Sequence, residues 1–286
     1  MSRIFNLIRA FNNVSTYNLG DCYRSTVASR RCVQNSHEEG VRQNPDDFVK
    51  HFLSEQEIEC VVGELEALRT WSFYHYLLAR THHFDQVFRE AVRQGVQQIV
   101  LFGSGWETRA YRFSGLLRER GISVLETDLP VAIREKEARV RLLGNYEYVR
   151  FLPLDLKVVD YAVWLEQAKL DCSKKTLFLA EGVTEYLDIP SIRRWLLFMS
   201  RSFSDSIITY DGPVTRRSDR IVRLFTKKAR FTLPDSRSAV ERLHKTFGLQ
   251  TMAVYNGPDL HGRYLQYTDT GLWDNHITVV LSRQSL

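Results

Sequence analysis

Ile99-Val100-Leu101-Phe102-Gly103-Ser104-Gly105-Trp106-Glu107-Thr108-Arg109-Ala110-Tyr111-Arg112 is the stretch that decides the fold. Its apolar run breaks into Gly-Ser-Gly and then into a helical pattern, as a buried parallel strand does when it hands over to a tight turn and a helix. Glycines suit that turn because a Cβ would block the close approach of a ligand to the backbone. The third glycine of the dinucleotide fingerprint is absent, since Trp106-Glu107-Thr108 follow Gly105. A phosphate-binding reading therefore weakens, and a nucleoside cofactor without pyrophosphate is favoured.

Three further strand ends carry acids. The run Ile122–Glu126 leads into Thr127-Asp128-Leu129-Pro130, and Phe151-Leu152-Pro153-Leu154 into Asp155-Leu156. Thr176-Leu177-Phe178-Leu179-Ala180 leads into Glu181-Gly182-Val183. An acid at the end of the second strand is placed to accept hydrogen bonds from ribose hydroxyls. In open α/β sheets ligands bind outside the carboxyl ends of the strands, so these residues converge on one crevice.

Around them the chain alternates. Strands are expected near 98–102, 122–126, 147–152, 176–180 and 206–210, and helices near 108–119, 131–143, 159–169 and 190–203. The alternation implies a parallel sheet with right-handed crossovers. Leu249–Tyr255 and His276–Ser282 read as two strands with no helix between them, which pair antiparallel. Residues 1–20 show no clear pattern. Asp21–Val33 and Asp46–Leu53 read as helices, and Glu55–Arg93 carries one long helical periodicity.

With 286 residues, 44% hydrophobic and 26% charged, the chain suits one globular domain with a full core. Residues 1–95 form an N-terminal helical extension in this reading, and 96–286 the sheet core, with a cover segment at about 212–247. Cys22, Cys32, Cys60 and Cys172 are scattered without metal-ligand spacing, so a metal site is not expected and reduced thiols in the cytoplasm are. No apolar run is long enough to span a membrane. The net charge of +5 is concentrated between Gly212 and Lys245, where ten Lys or Arg stand. A solvated helix face carrying Arg216, Arg220 and Arg223 is one reading, and a basic rim attracting an anionic substrate is the other.

Gly-Ser-Gly-x-x-Thr-Arg-Ala-Tyr-Arg, Thr-Asp-Leu-Pro-x-x-Ile-x-x-Lys, Leu-Asp-Leu and Ala-Glu-Gly-Val-x-x-Tyr-Leu, in this order, resemble the leucine carboxyl methyltransferase family. Ahead of them, Arg80-Thr81-His82-His83-Phe84-Asp85 is similar to that family's Arg-Thr-x-x-Phe-Asp segment. The resemblance covers about residues 20–210. It implies a seven-stranded, mostly parallel class I methyltransferase sheet that ends in an antiparallel hairpin, under an N-terminal helical cover. It also implies S-adenosylmethionine (SAM) as cofactor. Gly103 and Gly105 would then contact the cofactor, Asp128 the ribose, and Asp155 the adenine amino group, with Leu156 beside the base. Arg80 would grip the methionine carboxylate, and Glu181 would meet the ammonium group.

The bland alternatives are turn glycines, a helix-capping Asp128, a loop acid at 155 and a structural ion pair at Arg80. Thr108 and Arg109 read as holding the loop and pairing with carboxylates. His82 and His83 are the candidates for acting on substrate. The expected acceptor is a small molecule, anionic if the basic rim serves it, bearing a carboxylate or hydroxyl. No nucleic acid or membrane partner is expected. The competing readings are methylation of a protein C-terminal carboxylate, methylation of modified tRNA, and a non-catalytic SAM-binding module.

Overall fold

The computed structural model describes residues 16–214, 231–269, 271 and 273–283, and the side chains from residue 26 onward. Four helices come first: α1 (Thr16–His37), α2 (Glu55–Val62), α3 (Leu65–Arg69) and α4 (Ser72–Arg93). The periodicity of 55–93 is thus broken twice. Ser54 and Glu57 form a capping box at the start of α2, Gly63 ends that helix, and the Thr70 hydroxyl caps the last turn of α3 by donating to the Ala67 carbonyl. The short helix expected at Asp46–Leu53 is a 3-10 turn, Val49–Phe52.

The core then runs β1 (Gln98–Phe102), α5 (Arg109–Arg112), α6 (Ser114–Glu119), β2 (Ser123–Asp128), α7 (Pro130–Leu143), β3 (Val149–Pro153), α8 (Tyr161–Ala168), β4 (Thr176–Ala180), α9 (Ile189–Ser202), β5 (Ser206–Pro213), α10 (Arg237–Lys245), β6 (Gln250–Tyr255), α11 (Gly257–Tyr264) and β7 (His276–Arg283). One expected helix, 108–119, is two, because the backbone opens at Phe113. The seven strands form one sheet in the order β3-β2-β1-β4-β5-β7-β6. β3, β2, β1, β4 and β5 are parallel, and β7 runs antiparallel to both neighbours. This is the expected class I methyltransferase arrangement. Every residue of β1 and β4 is buried, as central strands covered on both faces require.

One expectation fails at the C-terminal end. β6 and β7 do pair antiparallel, but α11 lies between them. Asn256 and Asp259 form its capping box and Pro258 sits in its first turn, a start signal that the surrounding Gly, Asp and Tyr residues obscure. α11 packs on α4, with Leu260 against the cluster of Leu77 and Leu78. Of the basic segment, Arg216, Arg217, Arg220, Arg223, Lys227, Lys228 and Arg230 lie outside the described residues. Arg237, Arg242 and Lys245 are exposed on α10. That helix buries Val240 in the main core, and its His244 Nε2 lies 2.7 Å from the Tyr210 hydroxyl.

Beneath the glycine turn, β2 and α7 are joined by a buried pair, Lys136 Nζ to Glu126 Oε2 at 2.5 Å, with Nζ also donating to the Ser104 carbonyl at 3.1 Å. Removing one partner of such a pair costs about 3–5 kcal/mol because the other charge stays buried. Lys136→Met is expected to lose stability on that scale in urea unfolding. The double variant Glu126→Leu with Lys136→Met should recover most of it. A single variant as stable as the parent would contradict the pairing.

Candidate active site

The turn after β1 is built from backbone that other residues adopt with difficulty. Gly103 has φ +56° and Gly105 φ +33°. A Cβ at Gly103 would meet Val183 Cγ2 at 2.5 Å, so the turn closes directly on the end of β4. The Ser104 N–H donates to the Thr127 carbonyl at 2.9 Å, carrying the β1–β2 pairing beyond the strand end.

Asp128 closes β2. Its Oδ2 accepts from the Gly105 N–H at 2.7 Å and its Oδ1 from the Leu129 N–H at 2.7 Å. It therefore fixes the glycine turn and the entrance to α7 together. The Leu154 N–H donates to the Asp128 carbonyl at 2.8 Å, which places Asp155 on the neighbouring strand end. Asp155 Oδ1 accepts from the Lys157 N–H at 2.9 Å, and Leu156 is buried in the core with Phe102.

Arg80 and Glu181 come together, but as partners rather than as separate arms. Arg80 Nε lies 2.9 Å from Glu181 Oε1, and its Nη1 lies 3.3 Å from Asp211 Oδ2. Asp211 Oδ1 accepts from the Gly182 N–H at 2.6 Å. The other oxygen of Glu181 meets Arg109 Nη1 at 2.9 Å. Arg109, fully buried, also reaches Asp85 Oδ1 at 2.8 Å and Glu107 Oε2 at 2.5 Å. The chain of pairs continues through Arg112 to Asp85 and Asp46, and from Asp46 to Arg31 of α1. Thr108 joins it, its hydroxyl donating to Asp46 at 2.8 Å. Thr108 and Arg109 thus do what their spacing suggests.

Burial raises the Glu107 pKa, but Arg109 and Arg31 overrule it and hold the group at about 2. For Asp85, burial is likewise outweighed by Arg109 and Arg112, and the pKa falls. Asp211 goes the other way: burial raises it, and Arg80 only partly offsets the cost. Asp46, Asp211 and Arg31 have no local sequence signal, because their partners are distant in the chain, whereas Glu107 pairs with Arg109 two residues on.

The adjacent histidines separate. His82 stacks on Tyr264 of α11, ring centroids 5.8 Å apart. His83 is buried, its ring 4.6 Å from that of Tyr255 and 5.7 Å from that of Phe84. Among the described residues no group of three or more His, Cys, Asp or Glu is arranged to hold a metal ion. No helix there is long and apolar enough to cross a membrane.

The family model for leucine carboxyl methyltransferase matches residues 25–199, and the chain belongs to that family. A relative from Mycolicibacterium paratuberculosis is 36% identical over 113 residues, 39% of this chain and 35% of that protein. One from Mycobacterium bovis is 34% identical over 137 residues, 47% of this chain and 42% of that protein. Both carry the provisional name of S-adenosyl-L-methionine-dependent methyltransferase, and the chain aligns with less than half the length of each. A solved structure from Thermobifida fusca, described provisionally as a methyltransferase, superposes with a TM-score of 0.58 at 15% identity, covering 91% of this chain and 95% of that one. The shared fold is that of the class I methyltransferases.

Glu107 gives the site an acid sensitivity whose sign is fixed. Its folded pKa lies below its ordinary 4.5, so it contributes stability above that value and loses it as pH falls toward about 2. The raised Asp211 works in the opposite sense. The melting temperature of the parent should fall more steeply between pH 4.5 and 2 than that of Glu107→Gln. Parallel curves would contradict the depressed pKa.

Proposed function

We propose that this chain is a SAM-dependent methyltransferase that O-methylates a small molecule. The observation that carries the reading is the joining of the glycine turn to Asp128, with Asp155 on the next strand end and Glu181 across the turn. Gly103 and Gly105 leave the backbone open to close approach. Asp128 receives the ribose diol, held in place by its bond from the Gly105 N–H. Asp155 takes the adenine amino group, with Leu156 beside the base. Arg80 meets the methionine carboxylate and Glu181 the ammonium group, each already oriented by the other. A bound SAM supplies a methyl group on a positively charged sulfur, an electrophile that needs no further activation.

The protein's share is then alignment and exclusion of water. The buried ion pairs hold Glu181 and Arg80 in fixed geometry before any ligand arrives, which is where preorganisation is most effective. The family relationship and the relatives' names support the cofactor assignment. A single domain acting on a small acceptor in a reducing cytoplasm completes the reading. Cys32, Cys60 and Cys172 are free thiols, in keeping with it.

Titration calorimetry with SAM and S-adenosylhomocysteine (SAH) tests it. Saturable binding of both is expected without added divalent metal, and no heat with no rise in melting temperature at millimolar cofactor would refute it. Asp128→Ala should lower SAM affinity at least tenfold in a folded protein, since each hydrogen bond to a charged group contributes roughly 1.5–3 kcal/mol. Asp128→Asn, which keeps one acceptor oxygen, should fall between. Unchanged affinity in folded Asp128→Ala would leave this residue a turn-holding role alone.

A further inference from the structure

Asp211, near the carboxyl end of β5, is 1% exposed. The family match ends at residue 199, ahead of β5, so the family relationship assigns this residue nothing. Its contacts nonetheless converge on the strand end that carries Glu181. The β4–β5 pairing stops at Ala180 and Tyr210. Just beyond it Asp211 Oδ1 accepts from the Gly182 N–H at 2.6 Å, and the Asp211 carbonyl accepts from the Thr184 hydroxyl at 2.6 Å. Oδ2 lies 3.3 Å from Arg80 Nη1. A Cβ at Gly212 would meet Thr184 Oγ1 at 2.8 Å, and one at Gly182 would meet Arg80 Nη1 at 3.4 Å. The end of β5, the turn after β4 and the guanidinium thus lie directly against one another. Gly182 has φ +68°, a left-handed backbone past the reach of the strand ladder. The Asp211 carboxylate holds it there instead.

A buried carboxylate costs the fold free energy, and an ion pair returns little of it. Burial raises the Asp211 pKa, while Arg80, His276 and the Gly182 N–H oppose that rise and Glu181 adds to it. What the group does supply is orientation. Arg80 meets Glu181 through Nε and Asp211 through Nη1, so carboxylates from two neighbouring strand ends set the plane of its fork. Glu181 is steadied as well, because the peptide that follows it is held at the Gly182 N–H. With Asp211 removed, Arg80 would lose one of these two carboxylates and the Gly182 N–H its acceptor. The residues assigned to the nucleoside are held by other groups. Asp128 accepts from the Gly105 and Leu129 N–H groups, and Asp155 from that of Lys157.

Resting on the methyltransferase reading, we propose that Asp211 is a positioning residue for the amino-acid end of the cofactor. It acts through Arg80 and through the Glu181–Gly182 peptide, and touches no ligand itself. The amino-acid part of SAH is a zwitterion. A charge at position 211 therefore acts on its carboxylate and on its ammonium in opposite senses, and the two effects largely offset each other. Orientation is what remains. A guanidinium presents two parallel N–H donors to a carboxylate only in one plane, so an Arg80 that is less firmly held binds it less well.

The test is titration calorimetry with SAH and with methylthioadenosine, which keeps the nucleoside and the sulfur but lacks the amino-acid part. SAH binding by the parent is measured first, and its absence refutes the cofactor reading separately. Asp211→Ala is expected to weaken SAH at least tenfold and methylthioadenosine less than twofold. Asp211→Asn, which keeps an acceptor for the Gly182 N–H, should weaken SAH at least threefold, and it carries the test if the alanine variant does not fold. A double-mutant cycle gives a second reading, because losses at residues that act as one unit do not add. Arg80→Gln with Asp211→Asn should bind SAH no more than twofold weaker than Arg80→Gln alone. This cycle decides where methylthioadenosine binds the parent too weakly to titrate. Unchanged SAH affinity in a folded Asp211 variant, equal losses for the two ligands, or additive losses in the cycle overturns the proposal.

Discussion

One guanidinium, wholly removed from solvent, ties three distant stretches of chain to each other. Arg109 takes Asp85 from α4, Glu107 from the glycine turn and Glu181 from the end of β4. Stripping water from such groups costs several kcal/mol per ion, and their mutual attraction does little more than offset it. The network is thus poorly explained as a source of net stability. What it fixes is position. With Arg109 in place, the cover helix, the turn and the strand end have one mutual arrangement, and Glu181 presents a defined edge to the crevice. Without it, Glu107 would lose the arginine it is paired with, and Asp85 and Glu181 would be held by Arg112 and Arg80 alone.

This dependence explains which parts of the molecule were legible in the sequence. Strand ends are local events, so Gly103, Gly105, Asp128, Asp155 and Glu181 could be found from apolar runs that stop at glycine or acid. β1 and β4, buried on both faces, have the bounds their unbroken apolar runs indicate. The ion-pair network has no such signature. Arg31 and Asp46 come from the N-terminal cover, and Asp211 from β5, and nothing periodic marks charges that meet across the fold. Arg80 and Glu181 were each assigned to a ligand, yet their shared ion pair is visible only in three dimensions. α11 was missed although its capping box is local, because its loop-like composition hid the signal. His82 and His83 are equivalent in the sequence, but successive residues on a helix point about 100° apart, so His82 stacks on Tyr264 while His83 is buried against Tyr255.

The charge arrangement also bears on the chemistry. A cofactor that arrives with a positive sulfur complements a buried network holding one more carboxylate than arginine. Arg237 and Arg242 are exposed on α10, which accords with a solvated face for that part of the basic segment.

The central claim is that the strand ends around Asp128 and Glu181 hold SAM, and a crystal structure of the SAH complex addresses it most directly. The account predicts both ribose hydroxyls within hydrogen-bonding distance of the Asp128 carboxylate. It also predicts the homocysteine ammonium on Glu181, with the Gly105–Asp128 bond retained. Ligand density elsewhere in the molecule, or a ribose turned away from Asp128, would contradict it.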